Sequence, residues 1–188
     1  CSLLSVIQNP TLEKIPLQKD SSVGYIMGSL VVALQSLHKM GILYRSLHPE
    51  GIMVDDKGRL QLFDFGLSKA DGVGGKSFTI CGIANYLAPE MVFHQQPHNE
   101  AVDLWSLGVL LHELICGDFP FAGETEIATY SKIAAYAQCK SENKRIDMLP
   151  LQRTTELEKA ASPLVEALLN PNPAARLGMP ISGDRNKG

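Results

Sequence analysis

Three short strings, in fixed order along the chain, carry side chains of the kinds that do chemistry. The first spans residues 44–51 and contains a hydroxyl at Ser46 and an imidazole at His48; the others are Asp64-Phe65-Gly66 and Ala88-Pro89-Glu90. A serine near neutral pH accepts no proton without a base beside it, whereas an imidazole can accept one. An aspartate carboxylate is the type of ligand that Mg²⁺ prefers. The strings therefore indicate proton-transfer and metal-binding chemistry, provided that the fold brings them together.

The elements that must position these strings are mostly helices. Apolar residues recur at helical spacing over 21–40, with N-cap oxygens at 20–22 and a stop at Gly41, so we predict a long buried helix there. A shorter helix over 2–8 is expected to precede it and to close at Asn9-Pro10. Further helical patterns cover 102–116, which ends at Gly117, then 124–138, and 163–169. In the last of these, Ser162 suits the N-cap and Pro163 the first turn.

The pattern between the long helix and the later helices is different. Residues 52–54 and 60–63 flank the turn 55–58 and predict a small β-hairpin. From 66 to 82, five glycines and little periodicity predict a long exposed loop. The polar, glycine-rich tail is expected to be frayed. We therefore predict one α+β domain, mainly α, over 1–178, followed by a polar tail over 179–188.

Composition restricts the class of protein. With 188 residues, of which 45% are hydrophobic and 20% charged, the chain is typical of one soluble globular domain. A net charge of −3 does not indicate a basic surface that would bind nucleic acid or an anionic membrane. The sequence also shows no pattern of a membrane span or a signal peptide. The four dispersed cysteines are interpreted as reduced thiols of an intracellular, cytoplasmic protein. Because the chain begins at Cys1 inside an apolar segment, we expect it to be a piece of something longer.

In register, the three strings resemble the catalytic loop, the metal-binding loop and the end of the activation segment in protein kinases. Two downstream strings agree: 103–108 resembles the helix that braces the catalytic loop, and 170–178 resembles a segment bearing a structural arginine. Tyr44, and Cys81-Gly82 before the third string, are similar to the cyclic-nucleotide-dependent (AGC-type) Ser/Thr kinases. The resemblance covers about residues 1–178. It implies a kinase C-lobe, helical with a small hairpin, and an N-lobe that is absent from this chain.

The resemblance also implies roles for residues outside the catalytic loop. Asp64 stands where the family binds Mg²⁺ against the phosphates of ATP, although a single carboxylate implies only a weak Mg²⁺ site here. Arg45, Lys69 and Thr79 match the arginine, lysine and phosphorylatable threonine that order the activation segment. A phosphate on Thr79 would gain charge-assisted bonds to Arg45. The alternative is that these three are ordinary surface and loop residues.

Three further matches are structural in the family. Glu90 and Arg176 correspond to a buried ion pair, and Asp103 corresponds to a bracket for the backbone of the catalytic loop. We assign these residues to the scaffold and not to the chemistry. The remaining histidines share no metal-ligand spacing and are predicted to lie on the surface or on helix sides: His38, His94, His98 and His112.

The catalytic loop departs from the family at three positions. The family string is Y-R-D-L-K-P-E-N, and here Ser46 replaces its Asp, His48 its Lys and Gly51 its Asn. The Asp accepts the proton of the substrate hydroxyl, the Lys places positive charge near the transferring phosphoryl group, and the Asn holds a second Mg²⁺. Histidine is shorter and largely neutral at pH 7, and glycine offers no side-chain oxygen. His48 as a substitute base is disfavoured because nothing in the sequence positions it.

A fourth departure fits the other three. Ile83 replaces a threonine whose hydroxyl normally bonds the catalytic Asp and Lys, so no orphan polar group is left behind. A Walker A-like string at 70–77 lies inside the activation segment and is rejected, since no amphipathic helix follows it. We therefore predict a pseudokinase-like lobe with weak or no Mg-ATP binding. It would dock a protein partner or substrate, or its own N-lobe. The alternatives are an active or weakly active Ser/Thr kinase when an N-lobe is joined, and a truncated fragment without function.

Overall fold

The computed structural model describes residues 1–9, 20–70, 81–93, 97–141 and 155–179. Within these ranges the elements are α1 (Leu3–Gln8), α2 (Asp20–Lys39), β1 (Ile42–Leu43), β2 (Ile52–Val54), β3 (Leu60–Leu62), β4 (Lys69–Ala70), α3 (Pro89–Val92), α4 (Ala101–Cys116), α5 (Glu126–Ser141) and α6 (Glu156–Leu168). The predicted mainly helical α+β class is confirmed. No helix of the described part combines the length and apolar character that crossing a bilayer requires.

Helices α1 and α2 form where the sequence predicts them. In α1 the Ser2 hydroxyl accepts the amide of Ser5 at 3.2 Å, which satisfies one of the free amides of the first turn. One face of α2 is buried at helical spacing, through Val23, Ile26, Met27, Leu30 and Leu34. The long helix therefore packs as core, directly before the first chemical string.

The predicted hairpin is present, but a second strand pair was missed. Strands β2 and β3 pair antiparallel, with Ile52 opposite Leu62. Strands β1 and β4 also pair antiparallel, with Leu43 opposite Lys69, so the predicted exposed loop over 66–82 is wrong at Lys69–Ala70. Two residues are too few to show a strand period, and their partners in β1 lie 26 and 28 positions earlier in the chain. The rest of that loop, over 71–80, lies outside the described residues.

Helix α4 is the centre of the core. Trp105 is fully buried, stacks on Phe121 at 5.5 Å between ring centroids, and meets the Tyr136 ring edge-on at 6.3 Å. The helix ends at Gly117, whose φ of 72° provides the left-handed C-cap that a glycine adopts without strain. Because α4 contacts both α2 and α6, it connects the N-terminal and the C-terminal helices of the described domain.

The predicted start of the last helix is wrong. Helix α6 begins at Glu156, seven residues before the predicted 163, and Pro163 lies inside it. The Thr155 hydroxyl accepts the amide of Glu158 at 3.1 Å, and the Glu158 carboxylate accepts the amide of Thr155 at 3.3 Å. This capping box satisfies two amides at once, and it sets the start of the helix. Ser162, predicted as the N-cap, is instead a buried residue in the middle of the helix.

Helix α4 packs closely against the C-terminal end of α6 at Gly108. A Cβ added there would lie 2.8 Å from Cβ of Leu168 and 3.0 Å from Cδ2 of Leu169. We expect Gly108→Ala to lower the free energy of unfolding by about 1–2 kcal/mol, because overpacking of about 1–3 kcal/mol outweighs the helix-propensity gain of roughly 1 kcal/mol. Urea denaturation measures this change.

The matched control is Gly28→Ala in α2. Nothing lies within 4 Å of a Cβ added at Gly28, so only the propensity gain remains. That variant should be as stable as the parent or more stable. Equal effects of the two alanines would contradict the close packing of α4 on α6.

Candidate active site

The first chemical string is held by a single buried carboxylate. Asp103, on α4, is fully buried; Oδ2 accepts the amide of Tyr44 at 3.0 Å, and Oδ1 accepts the amide of Arg45 at 2.7 Å. The Nε2 atom of His38 lies 2.7 Å from Oδ2 of Asp103. Arg45 has a φ of +61°, a left-handed conformation that costs a non-glycine residue roughly 1–2 kcal/mol. Asp103 therefore holds the backbone of this loop in a conformation that the loop would not adopt alone.

Ser46 follows this strained residue and faces a very small cavity. It is only 5% exposed, and the cavity it lines, with His48, Ile83, Tyr86 and Ser106, has a volume of about 10 Å³. That is close to the smallest volume that holds one water molecule. A serine hydroxyl in this position offers no proton acceptor of its own.

His48 provides neither the charge of a lysine nor an evident base. Burial lowers the pKa of the His48 imidazole from its ordinary value of 6.5, against the opposing influence of Glu50 and Asp64. The side chain is therefore neutral at pH 7. Its Nδ1 atom is buried and has no hydrogen-bond partner within the described ranges. No described group lies in hydrogen-bond contact with Nδ1 to activate it, so His48 as a substitute base stays an unsupported alternative.

Gly51 is enclosed by its own loop. A Cβ added there would lie 3.2 Å from the Tyr44 hydroxyl, 3.3 Å from the Ser46 carbonyl oxygen and 3.4 Å from Nε2 of His48. Tyr44 also donates its hydroxyl to the Gly51 carbonyl oxygen at 3.2 Å. This position therefore lacks a side-chain oxygen and has little room for one. Burial raises the pKa of Tyr44 to about 12, so this hydroxyl acts as a donor and not as a base.

Asp64 is the carboxylate for which the resemblance implies a role in Mg²⁺ binding. Its side chain is exposed, and Oδ1 accepts the amide of Gly66 at 2.9 Å. Among the residues that the structure describes, no three His, Cys, Asp or Glu side chains could hold a metal ion together. Asp64 fits one Mg²⁺ of Mg-ATP, and Gly51 does not fit the other. The described residues alone therefore do not complete the metal site that the resemblance implies.

Arg45 of the catalytic loop and Lys69 of β4, which were predicted to act with Thr79, both lie near the start of the 66–82 segment. Nε of Arg45 donates to the Leu67 carbonyl oxygen at 2.7 Å, and Lys69 is in β4, which pairs with β1 immediately before the loop. Ser68 adds a bond from its hydroxyl to the Tyr44 carbonyl oxygen at 3.2 Å. Thr79 lies outside the described residues. The structure thus fastens residues 67–70 to the catalytic loop.

Glu90 and Arg176 form a buried, bidentate ion pair. Nη1 of Arg176 donates to Oε1 of Glu90 at 2.7 Å, and Nη2 donates to Oε2 at 3.0 Å. The guanidinium also donates to the carbonyl oxygens of Ala101 and Asn170, and it lies 5.2 Å from the Trp105 ring centroid. The third string is thereby fixed to α4 and to the 170–178 segment.

The histidines were predicted to lie on the surface or on helix sides; His38 lies on α2 and His112 on α4, but the prediction is wrong for His98, which is buried outside any helix. His38 contacts Asp103, while His98 and His112 are both almost completely buried; His94 lies outside the described residues. His38 continues the buried positions Leu30 and Leu34 of α2 at four-residue spacing, a signal that was available in the sequence. His98 precedes α4 in a segment without periodicity, and no pattern indicated its burial.

The class of protein follows from these contacts and from comparison with known sequences. Residues 3–182 match the model of the protein kinase domain, and the chain belongs to the protein kinase family. Among its relatives is the cGMP-dependent protein kinase, isozyme 1, of Drosophila melanogaster, which is 35% identical over 88% of this chain and 20% of its own length. The serine/threonine-protein kinase sck2 of Schizosaccharomyces pombe is 41% identical over 82% of this chain and 22% of its own length. The predicted likeness to AGC-type Ser/Thr kinases is confirmed.

Proposed function

We propose that this chain is a catalytically impaired lobe of a Ser/Thr protein kinase that acts by binding. The observation that carries the proposal is an ordered scaffold around a catalytic loop that has no carboxylate at the position of the family's base. Asp103 holds the loop in place, yet the position of the base is a buried Ser46. Because the chain spans about a fifth of the length of the relatives it matches, the activity and partners of the whole protein belong to this proposal.

Three losses at one centre support impairment. A positioned general base contributes about 10²–10⁴ in rate. The neutral His48 supplies no fixed charge for the transferring phosphoryl group. Gly51 supplies no oxygen to a second Mg²⁺ and is closely packed. These losses do not simply add, but each acts on the same transfer step.

The partner that we propose first is the protein's own N-lobe. Phe63 and Phe65 flank Asp64 and are 72% and 46% exposed. Large apolar side chains grouped at one edge are typical of a surface that another domain covers. Docking of the N-lobe there, and of a protein partner on the helical surface, would give the lobe a role that needs no phosphotransfer.

Weak kinase activity is the second candidate, and one observation favours it. Asp64 is exposed and oriented by the Gly66 amide, so one Mg²⁺ ligand remains available. This candidate requires that some other group accepts the proton of the substrate hydroxyl.

Restoration of the lost side chains tests the proposal. In the complete protein, Ser46→Asp combined with His48→Lys should transfer phosphate from Mg-ATP to a Ser/Thr peptide at least about 10²-fold faster than Ser46→Asn combined with His48→Lys. Asparagine matches aspartate in size but cannot accept the proton. Equal rates for the two variants would show that the missing carboxylate does not limit the reaction, and the proposal would fail.

A further inference from the structure

One face of α2 is exposed and carries no charge over most of its length. Tyr25 and Val32 are 47% and 63% exposed on this face, and Gly28 between them is exposed as well. From residue 21 to residue 37 the sequence of the helix contains no charged residue. A surface helix of a globular protein ordinarily places charged residues opposite its buried stripe. The exposed face of α2 therefore has the character of a surface that another element covers.

A groove of about 520 Å³ lies between this face and the β2–β3 hairpin. Leu60 and Arg59 form its wall on the hairpin side, and Gly28 is part of its lining on α2. Nothing in the described part of the chain lies within 4 Å of a Cβ added at Gly28, so the groove is open there. Nε of Arg59 lies 2.7 Å from Oδ2 of Asp55, so the wall presents an ion pair and not an unpaired cation. The groove therefore suits an uncharged helix that brings a side chain to Gly28.

The exposed positions of α2 follow the spacing of paired helices. Intervals of three, four, three and four residues separate Tyr25, Gly28, Val32, Gln35 and Lys39, all of which are exposed. Alternating intervals of three and four residues form the seam along which two helices pack knobs into holes. An element that covers this seam must offer a large side chain opposite Gly28 and a small residue opposite Val32. Helix α2 itself carries both.

We infer that the occupant of this face is a second copy of the chain, whose α2 packs antiparallel to the first. A two-fold axis level with residue 30 places position 28 opposite position 32 of the other copy, and position 25 opposite position 35. Val32 of each copy then fills the open space above Gly28 of the other. The same surface supplies the knob and the hole, as an isologous interface requires.

The charges at the two ends of the helix agree with this orientation. Asp20 is the first residue of α2 and Lys39 is the last. Antiparallel pairing brings the acidic start of one helix beside the basic end of the other, and it also opposes the two helix macrodipoles. A helix of about 30 Å makes a small interface, so we expect association in the micromolar range.

This inference names a partner for the binding role in the proposed function. It does not depend on the loss of phosphotransfer, because it concerns only the face of α2 and the hairpin beside it. Phosphotransfer by the complete protein would overturn the proposed function and leave the pairing of α2 intact.

Site-specific photo-cross-linking of the complete protein tests the pairing. A photoreactive benzophenone amino acid replaces Gln35, and a matched control carries it in place of Ile127, which lies on α5 and is 76% exposed. On a denaturing gel, we expect a covalent dimer from position 35 and none from position 127. Mass spectrometry should map the link to Tyr25 of the other copy, the residue that faces position 35.

Two variants that carry the same probe at position 35 test the register. Gly28→Val should raise the protein concentration that gives half-maximal dimer by at least roughly tenfold, because two bulky side chains then meet at each end of the seam. It should not unfold the chain, since that position is open and valine is a better helix former than glycine. Gly28→Val combined with Val32→Ala exchanges the knob and the hole. This double variant should return the half-maximal concentration to within about threefold of the parent.

The inference is overturned if position 35 gives no covalent dimer, or if positions 35 and 127 give equal yields. A link that maps within a single copy would overturn it as well, because another segment of the same molecule would then cover α2. Association of the double variant as weak as that of Gly28→Val would contradict the antiparallel register.

Discussion

Arg176→Met is expected to lower the free energy of unfolding by about 3–5 kcal/mol. The change removes both bonds to the Glu90 carboxylate and leaves that charge buried without a partner, while two carbonyl oxygens lose their donor. Methionine keeps much of the length of the side chain, so the loss reports mainly on charge and hydrogen bonds. Chemical denaturation followed by the fluorescence of Trp105, which packs on this guanidinium, measures it.

The control for that variant is a solvent-exposed ion pair on α6. Nζ of Lys159 lies 2.7 Å from Oε1 of Glu156, the same separation as in the buried pair, but the side chains are 53% and 87% exposed. Lys159→Met should cost less than about 1 kcal/mol because water screens this pair. If Lys159→Met and Arg176→Met lowered the free energy of unfolding by similar amounts, burial would not make the Glu90–Arg176 pair more important for stability. That result would contradict the assignment of Glu90 and Arg176 to the scaffold.

Asp103→Ala is expected to be comparably damaging, with a loss of roughly 2–5 kcal/mol. The buried amides of Tyr44 and Arg45 would both lose their acceptor, and the left-handed conformation of Arg45 would lose its support. Amide hydrogen exchange locates the effect, since protection at Tyr44 and Arg45 should fall more than protection within α2.

Asp55 supplies a matched comparison for Asp103. Its Oδ1 also accepts two backbone amides, those of Lys57 and Arg59 at 2.8 and 2.9 Å, but it does so in an exposed turn of the hairpin. Asp55→Ala should be much less damaging, because water can replace the lost acceptor. If Asp103→Ala and Asp55→Ala lower the free energy of unfolding equally, the Asp103 carboxylate stabilises the catalytic loop no more than the Asp55 carboxylate stabilises an exposed turn.

Much of this architecture could be predicted from the sequence because strong local signals agree with the tertiary packing. The buried stripe of α2, the turn of the β2–β3 hairpin and the stop at Gly117 are each specified within a few residues. The order of the three strings also placed Asp64 near the catalytic loop, which the contact of the Phe65 and Tyr44 rings at 5.4 Å illustrates.

The features that escaped prediction depend on partners distant in sequence or on competing signals. Strand β4 exists only because β1 pairs with it, and its two residues carry no pattern of their own. Pro163 suggested a first turn, but the capping box of Thr155 and Glu158 begins the helix earlier. The close packing at Gly51 is invisible in a sequence that shows only a missing asparagine.

The most direct test measures the transfer of radiolabelled phosphate from ATP to a Ser/Thr peptide. The complete protein without substitutions is compared with its Asp64→Ala variant. Because Ser46 cannot accept the proton of a substrate hydroxyl, we predict that the label on a Ser/Thr peptide stays at the background of the Asp64→Ala variant. The result that would contradict the account is transfer above that background which disappears when the Asp64 carboxylate is removed.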